Sequence, residues 1–398
     1  MQARIKPICC GHLSSAIDTS RLERALDLAL AENRLVGAEA LLSVHGRVAY
    51  RRAAGWADRE AGLPMRPGGL FRLASLSKLY TSAAAIRLAV QGVWRLDAAV
   101  SDYLPYFVPH LADGSQPVIT LCHLLTHTAG LGYGFLEPAG GGAYRAAGVS
   151  DGLDHVALSL EDNLRRLAAQ PLWQAPGQGW IYSLATDVLG GALEAATGRP
   201  LPEVIRREVC APLGLTDTAF HAVDPARLGA AYADTDNGPQ RMGESHRLLL
   251  PEGSGIVYAP GRALDPQAFP SGGAGMVGTA ADFLALLEAL RGGREDWLPR
   301  AWVAEMMRDQ IAGLEMEGWP GWGHSLGGAI LRDPAAAGLP ASPGSWRWLG
   351  AYGHSWLVDP ARGLSFVVCT HTALEGSIGA FSMEWLQAVY AALDGSAA

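Results

Sequence analysis

Lysine is nearly missing from this chain. Of its 31 basic residues only two are lysines, Lys6 and Lys78, which leaves 29 arginines. An amine can lose its proton once desolvated, and a guanidinium cannot. A lysine retained in such a chain points to a task that arginine cannot perform. Long apolar runs are also missing. No stretch approaches ~20 apolar residues, the length a membrane-crossing helix needs. Positive charge is not in excess: the formal net charge is -8, and the basic residues are scattered. Neither nucleic acid nor an anionic membrane is expected as a partner. The five cysteines (Cys9, Cys10, Cys122, Cys210, Cys369) are few and widely spread. They form no CxxC pair and no Cys/His spacing of a zinc site, so no metal is expected. Cys369 reads as part of a buried strand. The first twelve residues lack the apolar core and small-residue cleavage site of a secretory leader. They read as a short tail, and the protein as cytoplasmic.

What is present is apolar surface in quantity. The 398 residues are 49% apolar and only 18% charged, enough for a sizeable core in one large or two ordinary domains. Ser20-Arg21-Leu22-Glu23 reads as a capping box opening a helix, with Leu22, Leu26, Ala29 and Leu30 on one side. The strands 38–44 and 47–51 flank His45-Gly46 as a hairpin with a two-residue turn. An apolar helix follows from Ser75 and stops near Gly92. From Pro105 to Ala259 short helical patterns alternate with Gly/Pro loops: Thr120 caps one, Ser159 another and Ser183 a third, which Gly198 closes, and Leu201 to Cys210 form a fourth. A capped helix follows from Thr279 to Leu290. Strands return at 346–352, 355–359 and 364–370, and the last helix runs from 382 to 393. The expected fold class is α+β: an antiparallel sheet flanked by helices, built from residues 1–104 and 260–398, with a mostly helical domain, 105–259, inserted.

Chemistry is suggested first at Ser75-Leu76-Ser77-Lys78. On a helix, Ser75 and Lys78 share a face, and a serine beside a proton-accepting amine is one way to build a nucleophile. The hydroxyl would also sit at a helix N-terminus, where free N–H groups favour negative charge. Gly148-Val149-Ser150-Asp151-Gly152 offers a rival, the G-x-S-x-G nucleophile elbow. That motif requires a buried strand before its serine, and residues 138–147 read as loop instead. His127 and His354 are candidate bases for a Ser-His-Asp triad; without a matching elbow, structural roles are the stronger reading. Tyr182, just before a helix, is by itself a packing aromatic, but beside Ser75 and Lys78 it could act as a general base. Twelve tryptophans suggest an aromatic-lined pocket.

These motifs fall in a familiar order. Ser75-x-x-Lys78, the segment Leu124 to Leu131, Tyr182-Ser183-Leu184, Ser271 to Met276 and Trp348-Leu349-Gly350 occur as in serine β-lactamase-like proteins. More narrowly, the chain resembles the family VIII carboxylesterases, which have the class C β-lactamase fold. The resemblance spans about Asp18 to Leu393. It implies a serine carboxylesterase that acts on small short-chain esters through an acyl-Ser75 intermediate and needs no metal or organic cofactor. Lys78 and Tyr182 would move protons, and the backbone N–H groups of Ser75 and Ala351 would form an oxyanion hole. Trp348, Leu349, Gly350 and Tyr133 would contact substrate. Acyltransferase, β-lactamase or D-Ala peptidase activity, or a non-catalytic binding role, are the alternatives. Two departures favour an esterase. Trp348-Leu349-Gly350 stands where β-lactamases carry Lys-Thr-Gly, and Leu184 where they carry the Asn of Tyr-x-Asn.

Overall fold

The computed structural model describes residues 17–250 and 253–395. The expected N-terminal tail, with Lys6, Cys9 and Cys10, lies outside the described residues. The helices that frame the site are α1 (Thr19–Ala31), α2 (Ser77–Val90), α3 (Leu121–Leu125), α4 (Leu160–Ala168), α5 (Ala185–Thr197), α6 (Leu201–Ile205), α7 (Ala280–Gly292) and α8 (Ala380–Asp394). The main sheet uses β1 (Gly37–Val44), β2 (Arg47–Asp58), β3 (Leu63–Pro64), β4 (Trp322–His324), β5 (Ala329–Leu331), β6 (Trp346–Gly350), β7 (His354–Asp359) and β8 (Leu364–Thr370). Its order is β4-β5-β6-β7-β8-β1-β2-β3, antiparallel throughout. The two ends of the chain meet at the β1–β8 pair, where Ala38 faces Thr370 and Val44 faces Leu364.

Alternation explains why β1 is buried along nearly its whole length. Successive side chains point to opposite faces. Leu42 lies opposite Tyr50, whose ring meets Trp385 of α8 at 6.0 Å, and α8 packs with α1 on that face. Leu41 lies opposite Val367, which pairs with Trp356, and the Trp356 ring meets Phe283 of α7 at 5.9 Å on the other face. A strand sandwiched between helical layers reads as continuous apolar sequence. The β1–β2 hairpin turns through His45 (φ 50) and Gly46 (φ 82), both in the left-handed region that such two-residue turns require.

Several local expectations need correction. The cap of α1 is Asp18, whose carboxylate accepts the Ser20 amide at 3.2 Å, rather than Ser20 with Glu23. Helix α5 has Leu184 at its cap position without a side-chain cap bond, and Ser183 is committed elsewhere. The helix from Leu201 widens into a π turn over Arg206–Cys210. The sheet is wider than the five strands expected, because β3, β4 and β5 are too short to show a period. Between 105 and 259 the α-helices end at Leu213; beyond it lie loops and the ribbons Tyr232–Ala233/Gln240–Arg241 and His246–Leu248/Ile256–Tyr258. Among the described residues, no helix is long and apolar enough to cross a membrane.

Helix α2 is the hub. Eleven of its side chains are buried, on every side of the helix. A helix apolar all round must be enclosed by protein. Ala83, Ala84 and Ala85 keep it slim, and it packs against α5, α6 and the π turn. Its N-terminal end is therefore held from several directions, and that end carries Ser75.

Candidate active site

Ser75 lies in a 3-10 turn, Ala74–Leu76, that leads directly into α2. Ala74 sits at φ 46, a conformation that alanine rarely adopts and that costs about 1–3 kcal/mol. The neighbours impose it. The Leu73 amide donates to the Met276 carbonyl at 2.8 Å, the Leu76 amide returns to Leu73 at 3.0 Å, and β6 presses on the turn. Gly350 makes that approach possible: a Cβ there would lie 2.9 Å from the Leu73 carbonyl oxygen.

Around the Ser75 hydroxyl the three sequence candidates converge. Ser75 Oγ is 2.5 Å from Tyr182 Oη and 3.2 Å from Lys78 Nζ. Lys78 is 4% exposed. Its Nζ also donates to Tyr133 Oη at 2.8 Å and to the Gly273 carbonyl at 2.8 Å. Three acceptors around one nitrogen match the three donors of an ammonium; a planar guanidinium fork does not fit them. Nζ is also 4.8 Å from the centre of the Tyr182 ring. Gly273 permits this packing, since a Cβ there would come 2.4 Å from Asp187 Oδ2 and 3.3 Å from Lys78 Nζ. The loop carrying Gly273 is tied to α2 by Thr81, whose hydroxyl donates to Gly272 at 2.8 Å, and by Ser77, whose Oγ accepts the Met276 amide at 3.1 Å.

Tyr182 is positioned by its neighbours in sequence. The Ile181 amide donates to the His127 carbonyl at 3.0 Å, and the Leu184 amide to Gly132 at 3.1 Å. His127 Nδ1 accepts the Ser183 amide at 3.3 Å and faces the Ser183 hydroxyl at 3.1 Å. His127 thus grips the strap that carries Tyr182. Burial, with His324 and Lys78 close by, holds its imidazole well below its usual range and therefore neutral. His354 is fully committed as well: Nδ1 accepts the Thr370 amide at 3.2 Å and Nε2 donates to the Arg72 carbonyl at 2.7 Å. Burial lowers it to about 4. Neither histidine touches Ser75. Ser150 is 1% exposed; its amide is held by Asn163 at 2.8 Å and its hydroxyl donates to Asp154.

Ser75, Tyr182, Tyr133, Trp348, Leu349, Gly350 and Ala351 all line one cleft of about 790 Å³. Trp173, Trp180 and Trp319 join Trp348 in its walls, so four of the twelve tryptophans are there. Trp319 stacks on Trp348 with ring centres 5.5 Å apart. The Trp348 ring lies 5.2 Å from that of Tyr182, and its Nε1 is 3.5 Å from the Tyr182 oxygen. Asp151 and Glu317 are the acidic residues of the lining; among the described residues no lysine or arginine lines it. Tyr133, expected to contact substrate, also holds Lys78. Burial raises its phenol far above the usual range, which keeps it neutral as a partner for the amine. Sequence reading missed Asp151, Asp187, Trp180 and Trp319. The tryptophan count was the one signal for the aromatic walls, and it carried no address.

The chain is similar to known proteins along most of its length. A family model described as beta-lactamase matches residues 22–380. Esterase EstB of Burkholderia gladioli is 49% identical over 382 residues, covering 95% of this chain and 97% of that protein. The structure of EstCE1, described as a hydrolase with promiscuous acyltransferase activity, superposes with a TM-score of 0.91 at 46% identity, over 94% of this chain and 98% of that one. Unliganded simvastatin synthase (LovD) from Aspergillus terreus shares the fold at 22% identity, with a TM-score of 0.74 over 95% of this chain and 99% of that one.

Proposed function

Because this chain belongs to the beta-lactamase family and has an α+β fold of β-lactamase/transpeptidase type, we propose that it is a serine carboxylesterase of uncharged, short-chain esters. The observation that carries the reading is the Ser75 hydroxyl between Tyr182 at 2.5 Å and Lys78 at 3.2 Å, open to an aromatic cleft. Ser75 Oγ attacks the ester carbonyl carbon, and its proton passes to the Tyr182 oxygen, which acts in this reading as a phenolate beside the Lys78 ammonium. The backbone N–H groups of Ser75 and Ala351 receive the oxyanion. Ser75 belongs to the first turn before α2, where amides lack helical partners, and Ala351 follows the end of β6 at the cleft wall. The tetrahedral intermediate collapses, the alkoxide leaves with the proton from Tyr182, and an acyl-Ser75 ester remains. Water, deprotonated by Tyr182, then attacks the acyl carbon; the acyl–Oγ bond breaks, Tyr182 returns the proton to Ser75 Oγ, and the acid is released. Lys78 stabilises the charge that moves between the two oxygens. Residues 105–259 act in this reading as an inserted domain that brings Tyr182 across the cleft.

The walls argue for neutral substrates. Trp348 stands where a lysine would bind a carboxylate, and the described lining carries acidic but no basic side chains. An anionic β-lactam gains no ion pair there, whereas an uncharged acyl group gains apolar contact. The likeness to EstCE1 favours acyl transfer as a second reading, with an alcohol replacing water at the acyl-Ser75 stage. The test is hydrolysis of p-nitrophenyl butyrate against nitrocefin, with and without an added alcohol. The ester is expected to turn over far faster, and the alcohol to divert part of the acyl group into a new ester. Nitrocefin turnover of comparable efficiency would overturn the substrate argument.

A further inference from the structure

The G-x-S-x-G segment, set aside as a nucleophile elbow, delivers a different residue to the cleft. Gly148 (φ 65) and Gly152 (φ 84) are both left-handed, and the Gly152 amide donates to Ser150 Oγ at 3.1 Å, which closes a tight turn at Asp151. Ser150, pinned by Asn163 and Asp154, fixes the turn from inside. The next side chain, Asp151, then points to the cleft wall. Its Oδ1 accepts the Gly134 amide at 2.7 Å. Gly134 follows Tyr133, whose hydroxyl accepts from Lys78 at 2.8 Å. The same short segment carries Phe135, which stacks on Tyr133 at 4.5 Å. Ser254 holds the other side of Gly134, donating to its carbonyl at 2.6 Å. Two bonds to one residue, Gly134, on the peptides before and after it, therefore set where the Tyr133 phenol sits, and one of them comes from a carboxylate.

We propose that Asp151 is a positioning residue for the reaction: its carboxylate holds the Tyr133–Phe135 segment, and through the Tyr133 hydroxyl it holds Lys78 against Ser75. This rests on the reading of Ser75 as the nucleophile. The groups that face Asp151 are Asp154, three residues on, Tyr133 from the segment it holds, Glu137 just after that segment, and Tyr144; Arg262 bonds the Asp154 carbonyl at 3.2 Å. Burial first, then Asp154 and Glu137, raise the Asp151 carboxyl to about 7, while the Gly134 and Phe135 amides oppose the rise. The carboxylate therefore appears as pH rises through about 7, and the hold on the segment strengthens in step. Ionisation there also works against the fold, so that stability contribution is full below about 3.8, declines as pH rises, and is lost above about 7.

The test is the rate at which Ser75 is phosphonylated by a p-nitrophenyl phosphonate, followed by p-nitrophenol release and intact mass. Wild type should slow as pH falls through about 7. Asp151→Asn should slow the reaction roughly ten- to hundredfold at pH 8, a loss of the size that misplacing a reacting group produces, and should lose that pH step. Its Tm at pH 8 should be no lower than that of wild type, whereas a merely structural aspartate would lose Tm. Tyr133→Phe should also lose the step, which tests the proposal even if Asp151→Asn does not fold. The double variant should be no slower than the slower single, as for residues that act through one chain. Additive losses in the double variant, or a pH step kept in Tyr133→Phe, with Ser75 still labelled, would overturn the role of Asp151 alone. Failure of Ser75 to be labelled at all would overturn both the role and the site reading on which it rests.

Discussion

Two serines in this chain sit in tight turns, and only one has the surroundings of a nucleophile. The Ser75 turn is forced by a left-handed alanine, and the Ser150 turn is eased by two left-handed glycines. Ser75 opens to a cleft and meets an amine and a phenol; Ser150 is buried and meets a carboxylate and an amide. The motif around Ser150 is the better-known string, yet its hydroxyl is spent on holding the backbone. Reactivity follows from what can take the proton and what can reach the oxygen, and the strained Ala74 is kept where both conditions hold.

The largest effect that would sharpen this contrast is on Ser75. Ser75→Ala should reduce ester hydrolysis by at least about 10³-fold, measured as kcat/KM, because the other serine of the described lining, Ser377, gives its hydroxyl to the Leu374 carbonyl and has neither amine nor phenol as a hydrogen-bond partner among the described residues. Tyr182→Phe should come next, with a loss of about 10²–10⁴-fold, mainly in kcat, as proton transfer is removed while the ring stays. At the other serine the expected effect is on folding. Ser150→Ala should leave kcat within about twofold but destabilise the protein by about 1–3 kcal/mol in urea unfolding, because Asp154 would lose a buried partner. A loss in kcat without loss of stability would break the comparison. The smallest effect concerns two buried histidines, one of which, His354, sequence had offered as a base. His354, and His324 beside the site, are held neutral near about 4 by burial. The unfolded chain protonates them near about 6.5, so stability should be full above that value and decline as pH falls towards about 4. Tm measured from pH 7 to 4 should show that decline, with no matching step in ester hydrolysis owed to a histidine base.

Much of the site was legible because it is written in short segments. Ser75 and Lys78 share one helical face, and the scarcity of lysine marked Lys78. Tyr182 stood before a helix whose end Gly198 announced. Trp348 to Gly350 stood on a strand with a clear apolar pattern. The rest depended on distant contacts. Asp151 acts on a peptide 17 positions earlier in the chain, and attention to Ser150 hid it. His127 looked like a base because nothing local shows that its ring nitrogen is taken by Ser183, 56 residues away. Strands β3 to β5 are two or three residues long, too short for any alternation to register. Asp18 displaced Ser20 as the cap of α1 because both residues suit that role, and only geometry chooses between them.

The central claim is that Ser75, and not Ser150, becomes acylated. Mass spectrometry after a p-nitrophenyl ester is mixed with wild type, Ser75→Ala and Ser150→Ala tests it most directly. The acyl mass should map to Ser75 in wild type and in Ser150→Ala, and be absent from Ser75→Ala. An adduct on Ser150, or hydrolysis that survives Ser75→Ala, would contradict it.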